Sequence, residues 1–409
     1  MSHDVRMRGF ERRTDVSEAV ALIDARVGPL AAVPVGLLEC AGRVLGRDLT
    51  APVDVPGFRR SAMDGFAVVA EETFGATTHD PRPFAVVGRS LPARPAGATV
   101  AGDRCVRIMT GAPMPEGADA VVPVEFCDVD GESVRVREPV TPGKNVGEIG
   151  EDIKLGSVLF QAGRKLKPQD LGVLSSVGVS RLFAIQQPKV ALIVTGNEIL
   201  PPGTPPKGYA IADANTPMLQ ALVARDGGHL VTGPILKDDR EALAEAIDVC
   251  AREADIVLIS GGSSVGEEDH APLLVREKGE LPIHGMALRP ASPAGIGFIE
   301  EKPVFLLPGN PVSCLCAYDF FAGRAVRRRA GLHADWPHVR LRMPLARKIA
   351  SVLGRTDYAR VRIEDGRVMP LAIRGAGILS STTRAHGFVI VPKEAEGYGE
   401  GEPVEVLLY

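Results

Sequence analysis

Residues 190–197 read Val-Ala-Leu-Ile-Val-Thr-Gly-Asn, a continuously apolar run that ends in a glycine-containing turn. A short apolar run without polar alternation is typical of a strand covered on both faces, as in a parallel sheet. Two further runs, Ile256-Val-Leu-Ile259 and Val304-Phe-Leu-Leu307, have the same character. Helical patterns separate the runs, and this alternation predicts a mostly parallel α/β sheet with right-handed crossovers.

Residues that commonly cap helices stand at four predicted helix starts. The first has the spacing of a capping box and predicts a helix over 15–29. The four starts are Asp15-Val-Ser-Glu18, Thr216-Pro217, Asp238 or Asp239, and Asn310-Pro311. The last three lie in the α/β segment, where they support the alternation of strands and helices.

Outside the α/β segment the sequence consists mainly of short β-like stretches broken by Gly and Pro, and the chain has 45 Gly and 33 Pro. This pattern suits small β units. We therefore expect a multidomain fold of α/β plus β type. The expected parts are an N-terminal helix packed on the α/β domain (1–32), a connecting domain (33–55 and 146–186), a small β domain (56–145), the α/β domain (187–332) and a C-terminal β-barrel-like domain (333–409).

The composition excludes several classes of protein. With 47 basic and 51 acidic residues the net charge is −4, so the chain as a whole does not attract nucleic acid. The apolar runs are shorter than the ~18 residues of a membrane-spanning helix. The six cysteines form no Cys-x-x-Cys pair and no zinc spacing, so we expect reduced, mostly buried thiols and a cytoplasmic location.

Three predicted strand ends run into glycine-bearing turns, and open α/β sheets bind ligands at that edge. The turns are Thr195-Gly-Asn-Glu198, Ser260-Gly-Gly-Ser-Ser-Val-Gly266 and Pro308-Gly-Asn-Pro-Val-Ser313. In the third turn, Asn310 and Pro311 place free N–H groups at a helix start, which suits an anion such as phosphate. The alternative is that these are ordinary strand-to-helix turns.

Carboxylates are the second chemical theme, because hard oxygen ligands beside a phosphate site suit Mg²⁺ bound through substrate phosphates. The candidates are Asp64, Glu151-Asp152, Asp213, Asp238-Asp239 and Asp269. Helix caps at Asp238 and Asp239 and Asx-turns at Asp64 and Asp213 are the alternatives. The P-loop, GxGxxG and HExxH patterns are absent, which disfavours ATPase, dehydrogenase and zinc-hydrolase functions.

Six strings, in order over nearly the whole chain, together resemble the molybdopterin molybdenumtransferase family, of the MoeA and gephyrin E-domain type. The strings are Pro56-Gly-Phe-Arg-Arg-Ser-Ala-Met-Asp-Gly-Phe-Ala-Val68, Arg107-Ile-Met-Thr-Gly-Ala-Pro-Met-Pro-Glu-Gly-Ala-Asp-Ala-Val121, Gly150-Glu-Asp-Ile153, Thr195-Gly-Asn-Glu198, Gly261-Gly-Ser-Ser-Val-Gly266 and Leu307-Pro-Gly-Asn-Pro-Val-Ser313. The first, second and last are long and specific.

The resemblance implies an elongated homodimer of four-domain subunits with a MogA-like α/β domain and a site at the dimer interface. The implied reaction inserts molybdate into adenylylated molybdopterin, with Mg²⁺ assistance and release of AMP. Contact with the adenylylating enzyme or with a molybdoenzyme is also implied. Two alternatives are a divergent paralogue that carries molybdopterin without metal transfer, and a non-enzymatic scaffold.

The resemblance and the strand-end turns together imply a set of site residues. The catalytic set is Asp64, Thr110, Glu198, Asp238 and Asp269, of which Glu198, Asp238 and Asp269 are also the metal ligands. The cofactor-binding set is Asp152, Asp213, Gly261, Gly262, Ser263, Ser264, Arg289, Ser292, Pro308, Gly309, Asn310 and Pro311. Asp64 is expected to reach the site from the other subunit.

The chain departs from the family pattern at several charged positions. Asn197 stands where the family usually has Asp. The family's Lys-Pro-Gly-Lys-Pro string is Arg289-Pro-Ala-Ser-Pro293 here, so Arg replaces one Lys and Ser292 the other. Basic residues of the family are replaced by Gly147-Glu-Ile149, which adds an acid. Two or more positive charges that would face an anionic ligand are therefore missing.

Overall fold

The computed structural model describes residues 13–262, 269–372 and 377–409. Their contacts divide the chain into two compact units. The smaller unit contains Gly36–Glu39 and Arg47–Leu182. The larger unit contains residues 13–35 and 40–46 together with the described residues from 183 onwards. A separate connecting domain and the other predicted boundaries stay predictions.

The larger unit is built around a six-stranded sheet. In spatial order its strands are His229–Leu236, Lys189–Thr195, Ile256–Ser260, Lys302–Leu307, Gly295–Ile299 and Glu280–His284. The first four are parallel and the last two add antiparallel pairings, so the sheet is mostly parallel as predicted. Val194 pairs with Ser260 and Ser260 with Leu307, which aligns the carboxyl ends of the three apolar strands.

Helices cover the central sheet, and their apolar faces bury its side chains. The helices of the larger unit are Val16–Arg26, Asn215–Arg225, Arg240–Glu253, Ala271–Lys278, Pro311–Ala317, Gly323–Arg329 and Ser380–Thr383, with a π-helical turn at Tyr318–Ala322. In the N-terminal helix, Ala19 and Ile23 are fully buried in the same core as Val190 of the sheet. This helix therefore packs on the α/β layer through one face.

Two of the four predicted helix starts are wrong in detail. Asp15 makes no side-chain cap, and its carboxylate pairs with Lys393 instead. The helix predicted to begin after Thr216 begins at Asn215. By contrast, Asp239 is confirmed as a cap, because its carboxylate accepts a hydrogen bond from Ala242 N at 2.8 Å. The helix after Asn310 begins at Pro311 as predicted, although the Asn310 side chain makes no capping bond.

A second sheet forms the C-terminal part of the larger unit. Its strands, in spatial order, are Leu288–Arg289, Thr356–Glu364, Gly387–Val391, Pro403–Leu408 and Arg340–Pro344, and Arg367–Ala372 also pairs with the second of them. Two short pairs complete the unit, Ile199–Leu200 with Ile211–Ala212 and Ile349–Ala350 with Gly397–Tyr398. The strand Leu288–Arg289 comes from the α/β segment of the sequence, so the two sheets are joined by the chain that carries Arg289.

The smaller unit holds a third six-stranded sheet. Its strands, in spatial order, are Ala120–Pro123, Gly65–Val68, Arg104–Ile108, Arg82–Ser90, Ser133–Val136 and Cys127–Asp130. Beside it are the pairs Arg60–Ser61 with Val146–Gly147 and Leu49–Thr50 with Val158–Phe160, the helix Pro168–Ser176, and the 3₁₀ turns Leu37–Glu39, Ala70–Thr73 and Val124–Phe126. Ala32–Gly36 and Arg181–Ile185 are also strands. The predicted fold class, α/β plus β in several domains, is confirmed.

The cysteines are free, as the sequence predicts, and five of the six are buried. Burial raises the pKa of Cys105 and of Cys127 to about 12, so these thiols stay protonated near neutral pH. Among the described residues, none of the helices combines the length and the apolar character needed to span a membrane.

Candidate active site

A cavity of about 890 Å³ opens at the carboxyl ends of the central strands. Its wall includes the turns after all three apolar strands, at 195–198, 260–262 and 308–311. Because these strands are parallel and in register, turns that are far apart in sequence meet at one edge. The larger unit thus forms a single concave site from the three predicted turns.

Most of the predicted site residues of the larger unit line this cavity. They are Glu198, Asp213, Asp238, Gly261, Gly262, Asp269, Pro308, Gly309, Asn310 and Pro311. Asp64, Thr110 and Asp152 belong to the smaller unit. Arg289 and Ser292 are not in the cavity wall, and Ser263 and Ser264 lie outside the described residues.

Asp238 and Asp239 are neighbours in sequence with different environments. Asp238 lines the cavity, and its Oδ2 accepts a hydrogen bond from Asn197 N at 3.1 Å. Asp238 N in turn donates to Asn197 Oδ1 at 3.4 Å. Asp239 is exposed and caps the helix Arg240–Glu253. Only Asp238 is therefore positioned toward a ligand.

The Asp213 carboxylate is occupied by the start of the next helix. Its Oδ1 accepts hydrogen bonds from Asn215 N at 2.8 Å and Thr216 N at 3.0 Å, and its Oδ2 accepts one from the Thr216 hydroxyl. This local motif explains why the helix begins at Asn215. It supports the Asx-turn alternative for Asp213, and a direct contact with a ligand stays a prediction.

The glycine turn after the middle strand depends on its first glycine. Gly261 has φ +97°, and a Cβ built there would lie 2.3 Å from Thr195 O. A side chain at this position would therefore collide with the end of the neighbouring strand and close the floor of the cavity. The turn keeps its backbone against the strand end only because residue 261 is glycine.

The cavity wall is acidic. It holds the carboxylates of Glu198, Asp213, Asp238 and Asp269, whereas none of the described residues that line it is Lys, Arg or His. Across the described parts of the chain, no three acidic, His or Cys side chains are grouped closely enough to hold a metal by themselves. An anionic ligand therefore needs cations that the described wall does not supply.

Two predicted residues of the smaller unit are brought together. Thr110 donates to Asp64 Oδ1 from its backbone N at 2.7 Å and from its hydroxyl at 2.8 Å. These two hydrogen bonds lower the pKa of Asp64, so its exposed carboxylate is ionised at neutral pH. The pairing brings the carboxylate of the first long motif into contact with the threonine of the second.

Glu148 lies in the stretch where this chain lacks the basic residues of the family, and its carboxylate pairs with an arginine of the string 56–68. Glu148 pairs with Arg59 at 3.2 Å, and Glu151 pairs with Arg60 at 3.3 Å. Both pairs are partly exposed, so each contributes little to stability. Asp152 is exposed, and its backbone N donates to Val55 O at 3.1 Å.

Arg289 has a buried partner in the C-terminal sheet. Its guanidinium pairs with Asp357, a carboxylate with 0% exposure that also accepts a hydrogen bond from Ser351 Oγ at 2.6 Å. The register of the short strand, in which Arg289 lies beside Asp357, accounts for this contact. Its assignment as an anion ligand, like that of Ser292, stays a prediction.

Arg289→Ala is expected to lower the free energy of unfolding by about 2–3 kcal/mol, because it leaves the buried Asp357 carboxylate without its main counter-charge. Arg340→Ala is the matched control, since its pair with Glu405 is about half exposed and should contribute less than about 1 kcal/mol. Urea denaturation of the two variants measures the difference. Equal losses would mean that Asp357 does not depend on Arg289.

Arg289→Ala also tests whether Arg289 binds an anionic ligand. If the guanidinium also faces the ligand, Arg289→Ala should weaken phosphate or molybdate binding at least about tenfold in the folded protein, and Ser292→Lys should tighten it. Calorimetric titration compares both variants with wild type. Equal affinities in all three proteins would remove this loop from the site.

Sequence reasoning missed several residues of the cavity wall. They include Thr195, Ile199, Ile211, Asn215, Ser260 and Pro293. Asn215 belongs to the Asp-Ala-Asn string that drew attention to Asp213, and Thr195 ends the first strand. Their position in these strings could have indicated that they belong to the site. Their side chains alone do not indicate it, because Thr and Asn are common in turns and at helix starts.

Comparison with known proteins covers nearly the whole chain. Three family models match: "MoeA N-terminal region (domain I and II)" over residues 14–178, "Probable molybdopterin binding domain" over 191–328, and "MoeA C-terminal region (domain IV)" over 342–409. The molybdopterin molybdenumtransferase 2 of Mycobacterium tuberculosis is 32% identical over 388 residues, which covers 91% of this chain and 94% of that protein.

Two further proteins extend the likeness. The molybdopterin molybdenumtransferase of Staphylococcus aureus is 28% identical, over 96% of this chain and 95% of that protein. A crystal structure of the molybdopterin biosynthesis MoeA protein from Pyrococcus horikoshii is 31% identical, with a TM-score of 0.80 over 97% of this chain and all of that one. The likeness therefore extends over nearly the whole chain and includes both compact units.

Proposed function

The chain belongs to the MoeA family of molybdopterin molybdenumtransferases, and we propose that its acidic α/β cavity binds adenylylated molybdopterin during metal insertion. The protein is a transferase of molybdenum cofactor biosynthesis. In the proposed reaction molybdate enters the dithiolene and AMP is released. The two alternatives, a pterin carrier without metal transfer and a scaffold, have no support among the relatives.

One observation carries the assignment to this cavity. Three carboxylates follow three neighbouring strands of the sheet: Glu198, Asp238 and Asp269 all line the same wall. Ligands of open α/β sheets bind at this edge, and the acids stand where they could hold a cation that balances the charge of a substrate pyrophosphate. We therefore assign the pyrophosphate to the mouth of this cavity.

Mg²⁺ fits this donor set. Carboxylate oxygens are the ligands it prefers, and it commonly binds through one or two carboxylates together with substrate phosphates rather than in an all-protein cage. Among the described residues, the cavity wall has acidic side chains but no basic ones, and no three acidic, His or Cys side chains form a metal site by themselves. This composition suits Mg²⁺ that is bound jointly by carboxylates and substrate phosphates. Bound there, Mg²⁺ would neutralise the pyrophosphate and stabilise the AMP that leaves.

In this proposal the helix start at Pro311 binds phosphate, and the Asp238 carboxylate acts as the base. The helix Pro311–Ala317 begins at the cavity wall, and the positive end of a helix dipole suits a phosphate oxygen. Asp238, held by Asn197 N, is the candidate base for the attacking water. As water adds to the pyrophosphate, the P–O–P bond breaks, AMP departs and the water proton passes to the carboxylate.

The functional test is AMP release. Purified enzyme with adenylylated molybdopterin, molybdate and Mg²⁺ should release AMP, and excess EDTA should abolish the release, because the acidic wall cannot hold the pyrophosphate alone. Tungstate in a parallel arm reports which oxyanion is used. Absence of AMP at micromolar enzyme, with a competent family member active in the same assay, would reject the proposal.

We propose that the site is completed by a second subunit. Asp64 and Thr110 form an exposed hydrogen-bonded pair in the smaller unit, in which Asp64 carries the charge. The motif that contains Asp64 also has exposed apolar side chains, including Phe58 at 47% and Met63 at 39%. Exposed apolar groups of this kind are typical of protein interfaces. A homodimer would give these side chains a partner.

Light scattering is expected to report a dimer of about 87 kDa, twice the chain mass of 43.3 kDa, at micromolar concentration. The interface should exceed the ~2,000 Å² typical of obligate pairs. A monomer under these conditions would contradict both the dimer and the shared site. Phe58→Ser and Met63→Ser should shift the mass toward that of one chain, whereas the exposed Tyr209→Ser should not.

Cytoplasmic location and further partners belong to the same proposal. Free cysteines suit a reducing compartment. Because the substrate is an activated adenylate and the product is needed by molybdoenzymes, we propose transient contacts with the adenylylating enzyme or with a molybdoenzyme.

A further inference from the structure

Two arginines stand side by side on one face of the sheet in the smaller unit. Arg89 of the strand Arg82–Ser90 and Arg107 of the strand Arg104–Ile108 are direct partners in the parallel register. Neighbouring strands lie roughly 4.8 Å apart, and directly paired residues project from the same face. Both residues are exposed, and among the described residues neither guanidinium makes an ion pair or a hydrogen bond.

The neighbours of Arg107 show which face of the sheet this is. Phe66 is its antiparallel partner on the other side and pairs in turn with Val122, and both are fully buried in one hydrophobic cluster. The row across the sheet therefore passes from an apolar core to two exposed cations. Arg89 ends the row, because the next strand, Ser133–Val136, pairs only with the first residues of the strand that holds Arg89.

The two adjacent positive charges are unfavourable by themselves, since like charges directly opposite each other in a sheet are destabilising. A single exposed arginine is solvated and requires no partner, but two adjacent guanidinium groups repel each other unless an anion lies between them. A tetrahedral dianion can accept hydrogen bonds from both at once, because the planar guanidinium presents its donors in a fork. The arrangement of Arg89 and Arg107 therefore suits an oxyanion.

The arginine pair lies near the Asp64–Thr110 pair of the same unit. Thr110 follows Arg107 by three residues, which is about 10 Å along an extended chain. Phe66, the partner of Arg107, follows Asp64 by two residues. None of the described residues that line the acidic cavity is Lys, Arg or His, so the anions of the substrates need cations from another part of the protein. Arg89 and Arg107 supply two such charges beside a carboxylate that we assign to the site.

We propose that Arg89 and Arg107 together bind a tetrahedral oxyanion, which is molybdate or the phosphate of the pterin substrate. This rests on the proposed function, in which the substrates include both anions and a second subunit completes the site. Both ligands present negatively charged oxygens in the same tetrahedral geometry, which two guanidinium forks can hold. The pair thereby replaces cations that the chain lacks at Gly147-Glu-Ile149 and at Ser292.

Calorimetric titration of the full chain with molybdate and, separately, with inorganic phosphate tests the pair. Arg89→Gln and Arg107→Gln should each weaken binding of the preferred anion at least about tenfold. Arg104→Gln is the matched control, since it removes the same charge from the same strand, but the partner of Arg104 is Ala85 rather than a second arginine. At about 0.15 M salt, where charges are screened over roughly 8 Å, this control should bind within about twofold of wild type. The anion that wild type binds more tightly identifies the ligand.

Arg89→Glu tests whether the two side chains meet. It converts a like-charged pair into an oppositely charged pair, so the melting temperature should rise by about 1–3 °C while oxyanion binding is lost. A variant that only damaged the fold would lose both binding and stability. A melting temperature at or below that of wild type would mean that the side chains do not interact, and would overturn the pair.

No binding to wild type at millimolar anion, or wild-type affinity in Arg89→Gln and Arg107→Gln, would overturn the proposal. Variants that become monomeric in light scattering but keep their oxyanion affinity would also overturn it, because the pair would then contact an acidic surface of the second subunit. The titrations require no turnover. Wild type that binds the oxyanion through this pair but releases no AMP would therefore reject the proposed function and leave the oxyanion site standing.

Discussion

Asp238→Asn is expected to slow AMP release by at least about a hundredfold while the free energy of unfolding changes by less than about 0.5 kcal/mol. The substitution removes the negative charge that we assign to the pyrophosphate site and to the attacking water. It keeps an oxygen of the same shape, which can still accept the hydrogen bond from Asn197 N. Single-turnover AMP release and urea denaturation measure the two quantities.

Asp239→Ala is the matched control, one residue away. It removes the helix cap on Ala242 N and should cost about 1 kcal/mol of stability, but AMP release should stay within about twofold of wild type. We therefore expect Asp238→Asn to lower the rate but not the stability, and Asp239→Ala to lower the stability but not the rate. A similar rate for Asp238→Asn and wild type would remove this acid from the reaction.

Asp226→Ala is expected to lower the free energy of unfolding by about 3–5 kcal/mol, the largest effect on stability that we predict. Asp226 is fully buried and pairs with Arg225 at 2.9 Å and with Arg327 at 2.9 Å. Burial alone would lower the pKa of Arg225, but the charges of Asp319 and Asp226 raise it instead. Removing Asp226 would leave two guanidinium groups with one carboxylate fewer in the core.

Glu277→Ala is the control for that experiment. Its pair with Arg240 at 2.6 Å is about half exposed on both sides, and pairs of this kind contribute less than about 1 kcal/mol. Urea denaturation at neutral pH should therefore separate the two variants clearly. Equal midpoints would mean that the buried network adds no more than a surface pair.

Local sequence signals were sufficient for the sheet and for part of the capping pattern. The apolar run from Val190 to Val194 is observed as the strand Lys189–Thr195. Asp239 caps the helix Arg240–Glu253, as predicted. Strand burial and N-capping depend on residues within a few positions of each other. They can therefore be predicted from a short window.

The same reasoning failed where a distant or competing partner was available. The capping box at Asp15 does not form, because its carboxylate pairs with Lys393, far along the chain. The helix predicted after Thr216 begins earlier, because Asp213 binds the N–H groups of its first turn. A short stretch of sequence shows which residues could form a contact. It does not show which other residues compete for the same group.

The sequence by itself determined the family, the three strand-end turns and the carboxylates that follow them, since each is a pattern of neighbouring residues. Only the tertiary structure decided which side chains meet. It placed the Asn215 amide against Gly309 and Ser260, and it paired Arg289 with Asp357. These partners lie on different strands and turns, and the packing of the sheets, rather than any local preference, brings them within hydrogen-bond distance.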